Sequence, residues 1–260
     1  MLSRPFGIDP DQAWLPYEPS EAEPWDRARV AHLHRRAGFS ASWVTLARDQ
    51  NDGPEASIER LLQGEPEALD GTPAEQFDHL MNTLARGPGA SGGAIGLQSA
   101  WLYRMIHTPH PLRERLTLFW HDHFATSIEK VNDATLIRQQ NDLLRQHALG
   151  SFADLLRSIA RDPAMLIWLD ATASKKERPN ENYAREVMEL FTLGRGNYTE
   201  HDVREAARAF TGTFVVQGRY RHDPREFDDG EKTLLGRSGP LHGDDVATIL
   251  LDQPACARFL

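Results

Sequence analysis

Apolar residues recur at intervals of three and four positions along most of the chain, separated by segments rich in glycine, proline and polar residues. This interval places apolar side chains on one face of an α-helix. Together with the residues that begin and end helices, it predicts helices over 25–37, 40–48, 55–63, 72–86, 97–107, 112–124, 133–148, 151–161, 163–169, 182–193, 199–212 and 244–251. The fold is therefore predicted to be mainly α, a multi-helix, bundle-like domain.

The pattern changes after residue 212. Segment 213–221 carries β-branched and aromatic residues on both sides of Gln217-Gly218, which predicts a small β-hairpin near 213–222. Segment 232–235 is compatible with one more strand. We expect residues 1–24 to form an extended arm and 25–260 to form one helical domain. We expect that domain to continue beyond residue 260, because the last segment is apolar and has no polar tail.

Segment 87–96 contains five glycines together with Pro88 and Ser91. Such a composition is typical of a flexible linker, and glycine-rich loops also bind phosphate. The Gly-Lys-Ser/Thr ending of a phosphate-binding loop is missing here and no strand precedes the segment, which favours the linker.

Composition narrows the range of partners and compartments. The chain has 260 residues and a formal net charge of −9. No basic patch is visible, which argues against nucleic acid or an anionic membrane as a partner. Its one cysteine, Cys256, excludes an intrachain disulfide and a cysteine-based zinc site. No apolar stretch approaches the roughly 20 residues that span a bilayer. No secretory signal is visible either, so a cytoplasmic location is the default prediction.

The first segment with candidate chemistry is 119–127, where His121, Asp122 and His123 lie among bulky aromatic residues. The His-x-His spacing occurs in metal sites, so a divalent metal ion is one interpretation. On a helix, however, positions two apart point about 200° away from each other, and the two imidazoles converge only where the helix ends or distorts. The alternative is structural: His123 faces the core and is hydrogen-bonded, and His121 is partly exposed.

The second segment is 180–194. Helical spacing places Asn182, Arg185, Glu186 and Glu189 on one stripe. A polar stripe is usually a solvated face, and an arginine and a glutamate one turn apart are an ordinary pair. Turned inward, the same stripe would be two carboxylates bridged by an arginine, an arrangement that serves as acid–base catalyst or metal ligand.

Six segments together resemble one family of proteins: 32–39, 115–127, 180–194, 198–212, 230–236 and 243–246. Over about residues 25–260 the chain is similar to the bacterial family catalogued as domain of unknown function 1800 (DUF1800). The resemblance implies no activity or catalytic residue, because none is established for that family. It implies that relatives are typically longer than this chain. Many relatives resemble exported proteins, which makes export an alternative to the cytoplasm.

The resemblance bears on whether the polar residues of 119–127 and 180–194 face solvent or a shared pocket. Eight polar residues lie within the family-like segments: His121, His123, Asn180, Glu181, Asn182, Arg185, Glu186 and Glu189. A stripe that only faced solvent would have little reason to define a signature. Since polar groups are costly to bury unless they are satisfied, a shared pocket then becomes as plausible as a solvated face.

Two functions follow from these residues. In the first, the protein is an enzyme, a hydrolase, in which a histidine is the general base or a metal ligand and glutamates act as acid–base groups or ligands. An arginine would orient a carboxylate or bind an anionic substrate. The candidate catalytic residues are His121, His123, Asn182, Arg185, Glu186 and Glu189. In the second, the protein is a non-catalytic helical binding or assembly protein, and these groups form a buried network that fixes the register of the helices.

The surface formed by residues 246–260 is the candidate interaction site. We expect a contiguous apolar patch there, which a protein partner or a further C-terminal region would cover. The residues expected to be partly uncovered are Ile249, Leu250, Leu251, Phe259 and Leu260.

Overall fold

A computed structural model describes residues 15–87 and 93–260 of the chain. The chain divides into two compact units, one up to Gln63 and one from Gly64 onward. Of the predicted N-terminal arm, residues 1–14 lie outside the described residues, and 15–24 contain no helix or strand. Of the predicted linker, 88–92 lie outside the described residues, and the helix that follows begins earlier than predicted, at Gly93.

The described part of the first unit, residues 15–63, contains three helices: α1 (Arg27–Ala37), α2 (Trp43–Asp52) and α3 (Pro54–Gln63). The side chain of Asp26 accepts a hydrogen bond from a backbone N–H in the first turn of α1, and Ser42 does the same for α2. These caps satisfy donors that a helix leaves unpaired at its start, and they explain why both helices begin where they do.

Besides two short 3-10 helices, Ala171–Ala173 and Pro224–Glu226, the described part of the second unit contains the remaining α-helices. They are α4 (Ala74–Arg86), α5 (Gly93–His107), α6 (Pro111–His123), α7 (Ile128–Val131), α8 (Ala134–His147), α9 (Phe152–Ile159), α10 (Pro163–Trp168), α11 (Glu181–Glu186), α12 (Glu200–Ala209), α13 (Gly243–Leu251) and α14 (Pro254–Phe259). A π-helix, Val187–Thr192, continues directly from α11. The prediction of a mainly α fold is confirmed, and the short helices α7 and α14 are additions to it.

Two small antiparallel hairpins complete the described residues. β1 (Thr213–Val216) pairs with β2 (Arg219–His222) around the predicted Gln217-Gly218 turn. Both turn residues have positive φ, 51° and 70°, as tight hairpin turns require. The strand predicted at 232–235 is present as β3 (Lys232–Leu234), and it pairs with β4 (Arg237–Gly239), which the sequence did not predict.

The main core of the second unit lies where α9, α12 and α13 meet the π-helix segment. Its members are apolar and almost fully buried, for example Leu155, Met188, Val203, Val246 and Leu250. Burial of such side chains is the dominant stabilising contribution in a domain of this size.

The expectation of an uncovered apolar patch over 246–260 is wrong in part. Ile249 and Leu250 are buried in the core, because the apolar side of α13 packs against α9 and α12. Phe259 and Leu260 remain 40% and 46% exposed, which is within what single surface residues normally show.

In the part of the chain that is described, none of the helices combines the length and the apolar character needed to cross a membrane.

Candidate functional site

A cavity of about 630 Å³ lies between the C-terminal end of α6 and the junction of α11 with the π-helix. We call it the His123 cavity. Its lining residues are Asp122, His123, Ala125, Trp168, Leu169, Asn182, Glu186, Leu190 and Phe191. Three of the predicted site residues, His123, Asn182 and Glu186, are therefore brought together.

His123 is held in place by a hydrogen bond and by aromatic rings. Its Nε2 lies 3.0 Å from the carbonyl oxygen of Phe191. Because a carbonyl can only accept, Nε2 carries the proton and Nδ1 of the neutral ring is left with a lone pair. Trp120 and Phe124 contact the ring edge to face, at centroid distances of 5.7 and 4.7 Å. Burial among these rings lowers the pKa of His123, so the neutral form is favoured.

The π-helix decides which glutamate faces the cavity. In it the N–H of Leu193 bonds to the carbonyl of Met188, five residues back, and the hydroxyl of Thr192 bonds to the carbonyl of Val187. A π-helical turn holds more residues than an α-helical turn, so each residue advances less around the axis. The polar stripe predicted for a regular α-helix therefore ends at Glu186. Glu189 does not lie on the helix face that carries Glu186.

Glu186 lines the cavity with an unpaired carboxylate. Within the described part of the chain it accepts no hydrogen bond and forms no ion pair. Burial is the main cause that raises the pKa of Glu186, and the neighbouring negative charge of Glu189 raises it further. A carboxylate whose pKa is raised in a cavity is a stronger base than an exposed one, and such groups are frequent at functional sites.

Arg185 and Glu189 are instead engaged outside the cavity. Arg185 donates to both carboxylate oxygens of Glu200, at 2.7 and 2.8 Å. Glu189 accepts hydrogen bonds from Arg195 and from the hydroxyl of Tyr198, the latter at 2.8 Å. The Arg195 guanidinium and the Tyr198 hydroxyl lower the pKa of Glu189. Arg185 and Glu189, two of the predicted site residues, therefore connect α11 and the π-helix to residues 195–200.

Asn182 and Asn180 connect α11 to the preceding loop. The side-chain oxygen of Asn180 accepts from the N–H of Asn182 and caps α11. The side-chain amide of Asn182 donates to the carbonyl of Leu169 at 3.1 Å. This bond holds the loop against α11, and Asn182 forms part of the cavity wall.

His121 lies on the other side of α6 and faces a different cavity, which it shares with Trp101. The expected divergence of the two histidines is therefore observed, and His121 is partly exposed, as the structural alternative predicted. Its Nδ1 is buried and has no hydrogen-bond partner in the described residues. Within 15–87 and 93–260, no three His, Cys, Asp or Glu side chains are grouped so that they could hold a metal ion. The geometry does not support a joint metal-ligand role for His121 and His123.

Sequence reasoning missed several residues that line the His123 cavity, chiefly Trp168, Leu190 and Phe191. These residues are apolar and lie on helical faces that resemble ordinary core positions, so spacing carries no signal for them. Asp122 also lines the cavity, and the sequence pattern marks it only as the residue between the two histidines.

The fold and the cavity define a mainly helical protein in which a neutral imidazole and an unpaired glutamate share one cavity. The sequence model of the family described as "Protein of unknown function (DUF1800)" matches residues 32–260, and the chain belongs to that family. Comparison with curated proteins and with solved structures found no match.

Proposed function

We propose that the His123 cavity is the active site of a hydrolase that acts on an uncharged substrate. The observation that carries the proposal is the shared position of Glu186 and His123: both line one cavity, while their polar neighbours Arg185 and Glu189 are paired elsewhere. Titratable groups whose environments shift their pKa values within one cavity are the usual components of acid–base sites.

Glu186 is the group that transfers the proton. As a carboxylate with a raised pKa it takes a proton from a water molecule as that water attacks the carbonyl carbon of the substrate. The same proton then passes from Glu186 to the leaving oxygen when the acyl–oxygen bond breaks. The products are a carboxylic acid and an alcohol, and Glu186 returns to its ionised form.

His123 orients the water. Its Nε2–H is occupied by the carbonyl of Phe191, so Nδ1 can only accept a hydrogen bond. A fixed acceptor in the same cavity as Glu186 would restrict the orientation of a water molecule that both groups contact, and restricting a reactant in this way contributes to rate.

The lining of the cavity indicates the charge of the substrate. Among the described residues that line the cavity there is no lysine or arginine, whereas Asp122 and Glu186 supply negative charge. Phosphate and carboxylate groups would be repelled at such a site. Trp168 and the half-exposed Leu190 provide apolar wall for an uncharged group of moderate size.

Hydrolysis of p-nitrophenyl butyrate, with p-nitrophenyl phosphate as the anionic comparison, tests the proposal. We expect turnover of the ester only, and a loss of roughly 100-fold or more in kcat/KM for Glu186→Gln. Glu181→Gln is the matched control, because it changes a glutamate on the same helix that pairs with Arg185 and is not among the residues that line the cavity. Activity should also fall as the pH drops through the raised pKa of Glu186, because the base must be ionised. Equal activity in Glu186→Gln and wild type would contradict the proposal.

The stability of Glu186→Gln separates this function from the non-catalytic alternative. An unpaired cavity carboxylate contributes little to folding, so we expect a change below about 1 kcal/mol in the free energy of unfolding. If Glu186 instead belonged to a buried structural network, its replacement would cost about 3–5 kcal/mol. Such a loss, without any esterase activity in the wild type, would favour the helical assembly protein.

A further inference from the structure

The cavity that His121 shares with Trp101, which we call the Trp101 cavity, has a volume of about 220 Å³. Side chains from α4, α5 and α8 form most of its wall. The larger apolar side chains in this wall are Met81, Leu97, Trp101, Ile128 and Ile137. An apolar protein cavity of about 150 Å³ accommodates benzene. The Trp101 cavity therefore has room for one aromatic ring with a small substituent.

A series of ion pairs runs along the same cavity, and in it four arginines alternate with three acids. In order of contact, the members are Arg113, Asp78, Arg104, Glu114, Arg145, Asp142 and Arg138. The members that line the cavity are Arg104, Arg138, Arg145 and Asp142. Because an arginine stands at each end of the series, one positive charge has no counterpart among its members. A ligand with a single negative charge would balance it.

Two of these arginines have an edge that no described residue uses. Arg104 donates from Nη1 to Asp78 at 2.6 Å, and Arg138 donates from Nη1 to Asp142 at 2.5 Å. The Nε and Nη2 atoms of both side chains have no hydrogen-bond partner in the described residues, and they are not fully buried. Nε–H and Nη2–H lie side by side on one edge of the guanidinium plane. Such an edge matches the two oxygens of a carboxylate.

Arg138 is the less compensated of the two arginines. Arg104 lies near two acids, with Asp78 at 2.6 Å and Glu114 at 3.8 Å. Arg138 pairs with Asp142, which Arg145 also contacts at 3.0 Å. The Arg138 side chain is only 14% exposed, so water screens a charge beside it less than at an open surface. A carboxylate in the cavity therefore gains most by binding to Arg138.

We propose that the Trp101 cavity binds a monocarboxylate with a compact apolar body, such as an aromatic acid. Its carboxylate accepts two hydrogen bonds from the Nε and Nη2 edge of Arg138, and its ring packs against Trp101 and Ile137. The Trp101 indole is fixed for this contact, because its Nε1 donates to Glu114 at 3.2 Å. This site is independent of the His123 cavity, whose lining carries negative charge.

Benzoate is the probe, because it joins one ring to one carboxylate. The reporter is the indole ¹⁵N–H signal of Trp101 in the NMR spectrum, assigned by its absence in Trp101→Phe. We expect a saturable shift with a Kd on the order of 1 mM, as befits a ligand of this size. Benzamide has the same shape without the charge, and acetate has the charge without the ring. Each should bind at least about fivefold more weakly than benzoate.

Two variants locate the carboxylate. Arg138→Gln removes the free edge and one positive charge, while Asp142 keeps its pair with Arg145. We expect benzoate to bind about tenfold more weakly to this variant and benzamide to be unaffected. Arg157→Gln is the matched control, because it makes the same change of charge at an arginine that does not line the cavity. It should leave benzoate binding unchanged.

Four results would each overturn the proposal. They are no saturable shift with benzoate, binding of benzamide or acetate to wild type as tight as that of benzoate, unchanged benzoate binding in Arg138→Gln, and an equal loss in Arg157→Gln. Circular dichroism shows whether the variants fold. The comparison of the three probes on wild type decides the matter even if a variant fails to fold.

Discussion

His123 donates a hydrogen bond from Nε2 to the main-chain carbonyl of Phe191, 3.0 Å away and 68 residues further along the chain. The acceptor lies in the π-helix, where the N–H groups of Leu193 and Gly194 both turn back to Met188. The histidine therefore satisfies a buried carbonyl and joins the end of α6 to the π-helix beside the cavity.

Replacement of His123 tests this connection. His123→Phe keeps an aromatic ring but leaves the carbonyl of Phe191 unsatisfied, so we expect a loss of about 1–3 kcal/mol in the free energy of unfolding. The loss should depend on pH. Burial lowers the pKa of His123 below its ordinary 6.5, so below pH 6.5 the unfolded chain binds more protons and the wild type loses stability. Urea denaturation should therefore show a larger difference between wild type and variant at pH 8 than at pH 5. An equal difference at both values would count against a neutral, buried His123.

Asp49 is the centre of a buried charged cluster in the first unit. Its carboxylate accepts from His34 at 2.8 Å, from Arg48 at 2.9 Å and from Arg60 at 2.7 Å. Burial alone would raise the pKa of Asp49, but the hydrogen bonds from His34, Arg48 and Arg60 outweigh it and lower the pKa. His34 belongs to the family-like segment 32–39, so this contact explains one polar residue of that motif.

Asp49→Ala should therefore destabilise the first unit by about 3–5 kcal/mol, because it leaves the buried His34 ring and the partly buried Arg60 guanidinium without their carboxylate. Hydrogen exchange of the backbone amides in 27–63 measures this locally. Asp52→Ala is the control, since Asp52 is 40% exposed and its ion pair within the described residues is with Arg60. Its replacement should cost less than about 1 kcal/mol. Similar protection factors in the two variants would refute a central role for Asp49.

Asp162 caps α10 from a buried position. Its Oδ2 accepts from the N–H of Met165 and from the side chain of Gln140, both at 2.8 Å. Burial raises the pKa of Asp162 to about 6, since these bonds only partly offset the cost of burying the charge. Between its ordinary value of 3.8 and about 6, the folded protein binds the proton more tightly than the unfolded chain does. The stability contributed by Asp162 is therefore greatest at low pH and is lost as the pH rises through about 6.

Asp162→Asn mimics the protonated acid and keeps the cap, since asparagine caps helices as well as aspartate does. We expect the variant to be more stable than wild type by about 1–3 kcal/mol at pH 7.5 and equal to it at pH 4. Urea denaturation at a series of pH values gives both numbers. The same change at the exposed cap Asp133 is the control and should alter stability by less than about 0.5 kcal/mol. A variant less stable than wild type at pH 7.5 would show that the negative charge is needed.

Gly212 occupies a position where both conformation and space require glycine. It has a φ of +73°, and a Cβ there would lie 2.7 Å from the carbonyl oxygen of Asp223 and 3.1 Å from the N of Phe227. Gly236 has a similar φ of +81°, but a Cβ there would meet nothing within 4 Å. Gly236→Ala should cost about 1–2 kcal/mol in thermal or urea unfolding, for the left-handed conformation alone. Gly212→Ala should cost at least about 2 kcal/mol more, because two backbone groups must move. An equal loss of stability in the two variants would mean that the backbone around Gly212 can move to accommodate a Cβ at little energetic cost.

Local signals in the sequence were sufficient for most helices and for the first hairpin. The start of α12 is a capping box between Thr199 and Asp202, and both of its hydrogen bonds are present. The Gln217-Gly218 turn is equally local, because it depends on two residues that tolerate positive φ. Such features are decided by neighbours within four residues, so a linear pattern contains them.

The candidate site was predictable only in part. The sequence by itself determined that the chain is mainly helical, that its polar residues concentrate in 119–127 and 180–194, and that His121 and His123 diverge on one helix. Only the tertiary structure decided that Glu186 and not Glu189 faces the cavity. That choice depends on the π-helix, in which the carbonyl of Phe191 is satisfied by His123 rather than by the helix itself. The burial of the Asp49 carboxylate could not be predicted from the sequence either, because its partner Arg60 lies 11 residues away. Burial and pairing over such distances depend on how helices pack, and helix packing is a property of the folded chain and not of any one segment.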